Sequence, residues 1–259
     1  MQTSISRAAD QIWEATQKRS LCNPIREIIG AEDIESAYAI QQILTERRIQ
    51  QGSSIVGAKI GLTSPAVQKQ LGVDQPDFGR LFHDMEVWNG GTIDASELTQ
   101  PKIEAEVAFV LGKDLDTPII NTATVLSAVE FALASLEIVG SRIRDWDIKI
   151  TDTIADNASA SHFVLAHTPV KLKQLDLING KMSLSKNGEL ASEGLGASCM
   201  GSPINALIWL AQKMQILGTP LKAGDIILSG ALGPMVPIQS GDSIVATIEG
   251  LGSVSVHIS

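Results

Sequence analysis

Cysteine is nearly absent: Cys22 and Cys199 are the only two in 259 residues, far apart and without CxxC spacing. That excludes a disulfide framework and makes a structural zinc site improbable, and it fits a reducing cytoplasm. Aromatic residues make up 4%, so any core must be built mainly from aliphatic side chains. Positive charge is thinly spread. The net charge is −9, and no Lys/Arg cluster exceeds the "ERR" at 46–48, which argues against a nucleic-acid binder. No stretch approaches eighteen apolar residues, and the first thirty residues carry Arg7, Asp10, Glu14, Lys18 and Arg19. Neither a membrane span nor a signal peptide is therefore expected. The G-x-S-x-G elbow, the Walker A loop and the dinucleotide fingerprint are all missing. His83, His162, His167 and His257 share no ligand spacing.

What is present is enough for a sizeable core, with hydrophobic residues at 44%. Ile5, Ala8, Ala9 and Ile12 fall at helical spacing, as do Ile34, Ala37, Tyr38 and Leu44 behind an acidic first turn. From residue 54 the pattern changes to short β-like runs broken by Gly and Pro. The division expected is a helical N-terminal region, 1–53, and a β-rich core, 54–259. Helices interrupt the core at "SPAVQKQLG" (64–72) and "SPINALIWLAQKMQILG" (202–218), each with a Ser N-cap, a Pro in the first turn and a Gly stop. A third helix is expected over "TATVLSAVEFALAS" (122–135), and a hairpin over "SIVATIEGLGSVSVHI" (243–258). The fold class is α+β.

The chemistry begins at "PKIEAEVAFV" (101–110). On a strand, Glu104 and Glu106 point to one face, with Ala108 and Val110 continuing it. Ile103, Ala105, Val107 and Phe109 point to the other. Two carboxylates about 5 Å apart repel by about 3 kcal/mol at an effective dielectric near 20, so water, a shared proton or a cation must offset them. Glu137 lies in a further apolar run, "ASLEIVG". Three such glutamates would suit a hard divalent cation; half-exposed, solvated carboxylates are the competing reading. Lys59, between Gly57 and Gly61, would stabilise an oxyanion or guard an edge strand. Asp77 is a candidate general acid/base or a turn former. "DTIADNAS" supplies Asp152, Asp156, Asn157 and Ser159, residues usual in turns, and "SGALGPM" (229–235) could bring backbone N–H groups to an anion.

"VGAKIGLTS", "QLGVDQPDFGRLF", "PKIEAEVAFVLGKDL", "LEIVGSRIRDWD", "DTIADNAS" and "LKAGDIILSGALGPMVPIQSGD" together closely resemble the 2-hydroxypenta-2,4-dienoate (2-keto-4-pentenoate) hydratases of the fumarylacetoacetate hydrolase superfamily. The resemblance runs in order over nearly the whole chain. It implies a helical N-terminal region on a mixed β-sandwich roll. It also implies Mg²⁺ or Mn²⁺ held by Glu104, Glu106 and Glu137, catalysis by Lys59 and Asp77, and substrate contacts at Ser159, Gly230 and Leu232. The substrate implied is a 2-hydroxydienoate, protonated at C5 and hydrated at C4 to 4-hydroxy-2-oxopentanoate. Lys59 would stabilise charge or place water and Asp77 would move protons, or the reverse. The resemblance further implies a homo-oligomer, a pentamer or decamer, working beside an aldolase or decarboxylase in meta-cleavage of aromatic compounds. Arg80 and His83 depart from the family pattern and are candidates for substrate selectivity; Ser161 and His162 depart likewise. The alternatives are the sister 2-oxo-3-hexenedioate (4-oxalocrotonate) decarboxylase and a non-catalytic partner subunit of it.

Overall fold

The computed structural model describes residues 3–64, 68, 73 and 75–259. Three helices open the chain: α1 (Ser4–Gln17), α2 (Arg26–Ile29) and α3 (Ile34–Gln50). The Thr3 hydroxyl caps α1 by accepting from Ser6 N, and Asp33 caps α3 by accepting from Ser36 N. Among the described residues, the later helices with both ends defined are α4 (Thr122–Ala128), α5 (Ile150–Ala155) and α6 (Pro203–Ile216). Ala8, Ala9 and Ile12 of α1 and Ala37, Ile40 and Leu44 of α3 form one buried cluster with Ile150, Ile154 and Ala155 of α5. The N-terminal helices thus rest on α5.

The strands are β1 (Ile55–Gly61), β2 (Asp77–Phe82), β3 (Glu86–Trp88), β4 (Thr92–Ile93), β5 (Pro101–Leu111), β6 (Val129–Gly140), β7 (Ala160–Leu165), β8 (Lys181–Lys186), β9 (Glu189–Leu195), β10 (Ile226–Leu228), β11 (Val236–Pro237), β12 (Ser243–Ile248) and β13 (Gly252–Ile258). One mixed sheet runs β2-β1-β10-β5-β6-β7-β3, with β11 added to β5; the other runs β4-β13-β12-β8-β9. The main core lies between them. Ala105, Val107 and Phe109 of β5 and Leu136 and Ile138 of β6 meet Leu184, Ile244, Ala246, Val254 and Val256 there. The opposite face of the large sheet carries a smaller cluster that includes Leu81, Ala108, Leu133, Phe163 and Leu228. The two faces of β5 expected from its alternation are the two faces observed.

The α+β class, the β12–β13 hairpin and α6 agree with expectation, and the Ser202 side chain caps α6 by accepting from Ile204 N. The helix expected over 64–72 falls, save for Ser64 and Gln68, outside the described residues. The helix expected over 122–135 is corrected. Only Thr122–Ala128 is helical, closed at its start by a reciprocal Asn121–Thr124 capping box, and Val129 begins β6. Ala and Leu favour helix in "EFALAS", but pairing between β5 and β7 overrides a propensity worth tenths of a kcal/mol per residue.

Candidate metal centre and acid–base pocket

Alternation along β5 puts Glu104 and Glu106 on the face away from the main core, and the β5–β6 register sets Glu137 directly opposite Glu104. Carboxylate oxygens of the three lie within 4.8 Å of one another. All three residues are buried, Glu106 and Glu137 at 0% exposure and Glu104 at 8%. A directly opposed like-charged pair destabilises a sheet, and here it sits away from water. Glu106 Oε2 accepts from Gly230 N at 2.8 Å. Glu106 Oε1 and both Glu137 oxygens are buried without a hydrogen-bond partner.

Lys59 enters from β1, which lies between β2 and β10, so the edge-strand reading of this lysine does not hold. Its Nζ lies 3.1 Å from Glu137 Oε1 and donates to Ala158 O at 3.0 Å. Strand β10 ends at Leu228, the register partner of both Lys59 and Ala108. Beyond it the chain follows β5, with Ser229 N on Val107 O and Leu232 N on Ala105 O. Asp77, at the start of β2, is 1% exposed; its Oδ2 accepts from the Thr153 hydroxyl at 3.1 Å and its Oδ1 has no partner. Asp77 stands in register with Gly61. A Cβ on Gly61 would come within 2.2 Å of Asp77 Oδ1 and 3.5 Å of Lys59 Nζ. Only glycine lets both groups converge there.

The third wall is the segment after α5. Asn157, Ala158 and Ser159 have φ of 55°, 50° and 56°, three consecutive non-glycine residues in the left-handed region. Each costs about 1–2 kcal/mol, so surrounding contacts must hold them. The Asn157 side chain does so on β2, accepting from Arg80 N at 2.7 Å and donating to Arg80 O at 2.9 Å. This strained segment delivers the Ala158 carbonyl to Lys59 and leaves the buried Ser159 hydroxyl unpaired.

Burial pushes the carboxyls of Glu104, Glu106 and Glu137 upward, Glu137 to about 8, with mutual repulsion adding for Glu106 and Glu137 and Lys59 opposing. Burial also raises Asp77, against Lys59 and the Thr153 hydrogen bond. For Lys59, burial favours the neutral amine, but Glu137, Glu104, Asp77 and Glu106 outweigh it and keep the ammonium charged. One ammonium cannot balance four carboxylates. The uncompensated charge, the orphaned oxygens and the all-oxygen donor set fit a hard divalent cation such as Mg²⁺ or Mn²⁺.

The structure therefore brings Lys59, Asp77, Glu104, Glu106 and Glu137 together, with Ser159 buried on the segment whose Ala158 carbonyl meets Lys59. Gly230 and Leu232 border the group differently: their N–H groups are taken by Glu106 Oε2 and Ala105 O, leaving neither free for a substrate anion. Arg80 and His83 are not in the pocket. Arg80 lies on the opposite face of β2, its guanidinium bonded to Thr219 Oγ1, and His83 Nδ1 accepts from Ser54 N at the surface. Sequence reasoning passed over Thr153 and Gln41. Neither carries charge, and although Thr153 lies within "DTIADNAS", only the tertiary contacts distinguish the two.

Residues 60–259 match the family model described as the fumarylacetoacetate (FAA) hydrolase C-terminal region. The chain is 51% identical to the TodF product hydratase of Pseudomonas putida F1, over 97% of this chain and 94% of that protein. It is 52% identical to the 2-keto-4-pentenoate hydratase of Paraburkholderia xenovorans LB400, over 95% and 92%. Among solved structures, the 4-oxalocrotonate decarboxylase of Pseudomonas putida G7, complexed with magnesium and adipate, superposes with a TM-score of 0.94 at 31% identity, covering 98% of this chain and 97% of that one.

Proposed function

The chain belongs to the fumarylacetoacetate hydrolase family, and on that premise we propose that it is a 2-keto-4-pentenoate hydratase, adding water to 2-hydroxypenta-2,4-dienoate to give 4-hydroxy-2-oxopentanoate. The observation that carries this reading is the cage of three buried glutamates with orphaned oxygens, faced by a charged Lys59 and a buried Asp77. Relatives at about half identity over nearly their full length bear the hydratase name, whereas the decarboxylase match is at 31%.

Glu104, Glu106 and Glu137 would hold Mg²⁺ or Mn²⁺. When bound, that cation supplies Lewis acidity toward the carboxylate and 2-oxygen of the substrate. Lys59, fixed by Ala158 O and Glu137, would offset with its positive charge the negative charge that develops on the 2-oxygen. Asp77 Oδ1, buried without a hydrogen-bond partner, would hold and move the proton exchanged with the diene carbons or the added water. The Ser159 hydroxyl is free to donate to the substrate. Gly230 and Leu232 act behind it, steadying Glu106 and β5. The same family resemblance carries with it a homo-oligomer, which sedimentation of the purified chain would read, while the cytoplasm is the compartment that the two isolated cysteines fit.

The deciding experiment is product identification from 2-hydroxypenta-2,4-dienoate and from 2-oxo-3-hexenedioate, with and without Mg²⁺. The proposal expects cation-dependent 4-hydroxy-2-oxopentanoate from the first and no CO₂ from the second. Release of CO₂ without hydration would make the chain a decarboxylase. Neither product would leave the partner-subunit reading.

A further inference from the structure

We infer that Thr153 is the positioning residue of the acid–base step: its hydroxyl occupies one oxygen of Asp77 and so makes the other, Oδ1, the oxygen that carries the proton. The inference rests on the reading of Asp77 as the acid/base and gives a role to a residue that lies inside "DTIADNAS" but was assigned none there.

Asp77 Oδ2 receives the Thr153 hydroxyl at 3.1 Å, while Oδ1 is buried with no partner. A carboxylate with both oxygens free can rotate about its last torsion and offer either one. Pinning Oδ2 fixes the plane of the group and leaves Oδ1 aimed into the space over Gly61, where Lys59 Nζ also converges. The donor itself cannot wander. Thr153 is 5% exposed and sits within α5, its N–H bonded to Lys149 O.

A second side chain ties together the two segments that carry the partners. Gln41 of α3, 4% exposed, donates from Nε2 both to Phe78 O at 2.8 Å and to Ile154 O at 2.9 Å. Phe78 follows Asp77, and Ile154 follows Thr153. The one amide therefore clamps the backbone next to the acid against the backbone next to its hydroxyl donor. The flanking charges cannot take over this role: Lys59 attracts the carboxylate without bonding to it, and Tyr38 and Glu104 share its electrostatic surroundings without a hydrogen bond to it.

The test separates shape from hydroxyl. Thr153→Val keeps the branched shape and removes the donor; Thr153→Ser keeps the donor and removes the methyl. The inference expects kcat to fall roughly 10- to 100-fold in Thr153→Val with KM within about twofold, and Thr153→Ser to stay within about threefold of wild type. Mg²⁺ binding measured by calorimetry should be unchanged in both. In an Asp77→Asn background, Thr153→Val should produce no further fall. Thr153→Ala gives the same reading if valine is not accommodated. A packing role predicts the reverse order, with serine damaged and valine intact, and would overturn the inference. So would wild-type kcat in Thr153→Val beside an inactive Asp77→Asn, which leaves the role of Asp77 standing. Wild-type kcat in Asp77→Asn itself would overturn both.

Discussion

Two sets of buried carboxylates lie a few residues from the same pocket, and they are treated in opposite ways. Asp152 and Asp156, on and just after α5, are 0% and 1% exposed. Asp152 accepts from Arg26 Nη1 at 2.6 Å and from the backbone N–H groups of Arg26 and Lys149, both at 2.8 Å. Asp156 accepts from Arg142 Nε and Arg142 N at 2.5 and 2.9 Å. Glu106 and Glu137 are as deeply buried, yet one has a single N–H and the other a lone ion pair. Burial does not tell the sets apart. What does is the number of lone pairs left unused: the aspartates are closed ionic joints that lock the segment in place, and the glutamates are an open donor set.

If that contrast holds, the two sets answer mutation oppositely, and the largest effect belongs to the cage. Glu106→Gln removes a ligand charge without changing shape. Losing one partner of a buried charge interaction is worth about 3–5 kcal/mol, so Mg²⁺ affinity should fall by about 10²–10⁴. Turnover should fall with it. The melting temperature of the metal-free protein should hold or rise, because a repulsion has gone. Calorimetric titration and a melt in chelator read both. A metal-free protein that loses stability on this change would place Glu106 with the closed joints.

Asp156→Asn is the mirror case. Arg142, whose side chain is 13% exposed, would lose its counter-charge. The expected result is a loss of about 3 kcal/mol of stability, read by denaturant unfolding. Mg²⁺ affinity of the folded fraction should stay within about threefold, well under the 1.4 kcal/mol that a tenfold change represents. Full stability with weakened metal binding would erase the distinction.

Much of this was legible beforehand, and the rest was not for identifiable reasons. Period-two alternation exposes Glu104 and Glu106 as one face of β5, because side-chain direction is a local property of a strand. Glu137 needed the register of β6 on β5, which the chain sets over a separation of some thirty residues through packing. The same ambiguity of a continuous apolar run extended a helix over 129–135 that tertiary pairing turned into strand. The closed state of Asp152 and Asp156 was invisible because their arginines, Arg26 and Arg142, come from other segments. Thr153 and Gln41 are ordinary residues whose role lies wholly in what they touch.

A third difference appears with pH. Burial raises the folded-state pKa of Glu137 from an ordinary 4.5 to about 8, so the fold favours the protonated carboxyl. The stability this gives the metal-free protein is fully present below about 4.5 and is lost as pH rises through about 8. Cation affinity runs the other way, since protons compete for the same oxygens until about pH 8. The melting temperature in chelator should drop by on the order of 5 °C between about pH 5.5 and 8.5, and added Mg²⁺ should restore most of it at the upper end. A flat profile in chelator would mean that the cage is not holding protons in place of metal.

The smallest expected effect decides where Gln41 belongs. It is buried like the aspartates and its amide hydrogens are both committed, yet it touches the backbone beside Asp77 and Thr153. The rule drawn from the carboxylates assigns a satisfied group to stability. Gln41→Leu strips a donor from two carbonyls, but Ile154 O keeps the N–H of Asp156 as a second partner and Phe78 O lies within a paired strand. A loss of about 1–2 kcal/mol is therefore expected, near the value of one net buried hydrogen bond. With Thr153 still in place to hold Asp77 Oδ2, kcat should remain within about threefold, far short of the tenfold or greater drop expected from removing the hydroxyl itself. Denaturant unfolding beside steady-state kinetics makes the measurement. A tenfold fall in kcat at unchanged stability would put Gln41 with the working groups and show that a fully satisfied side chain can still set the chemistry from behind.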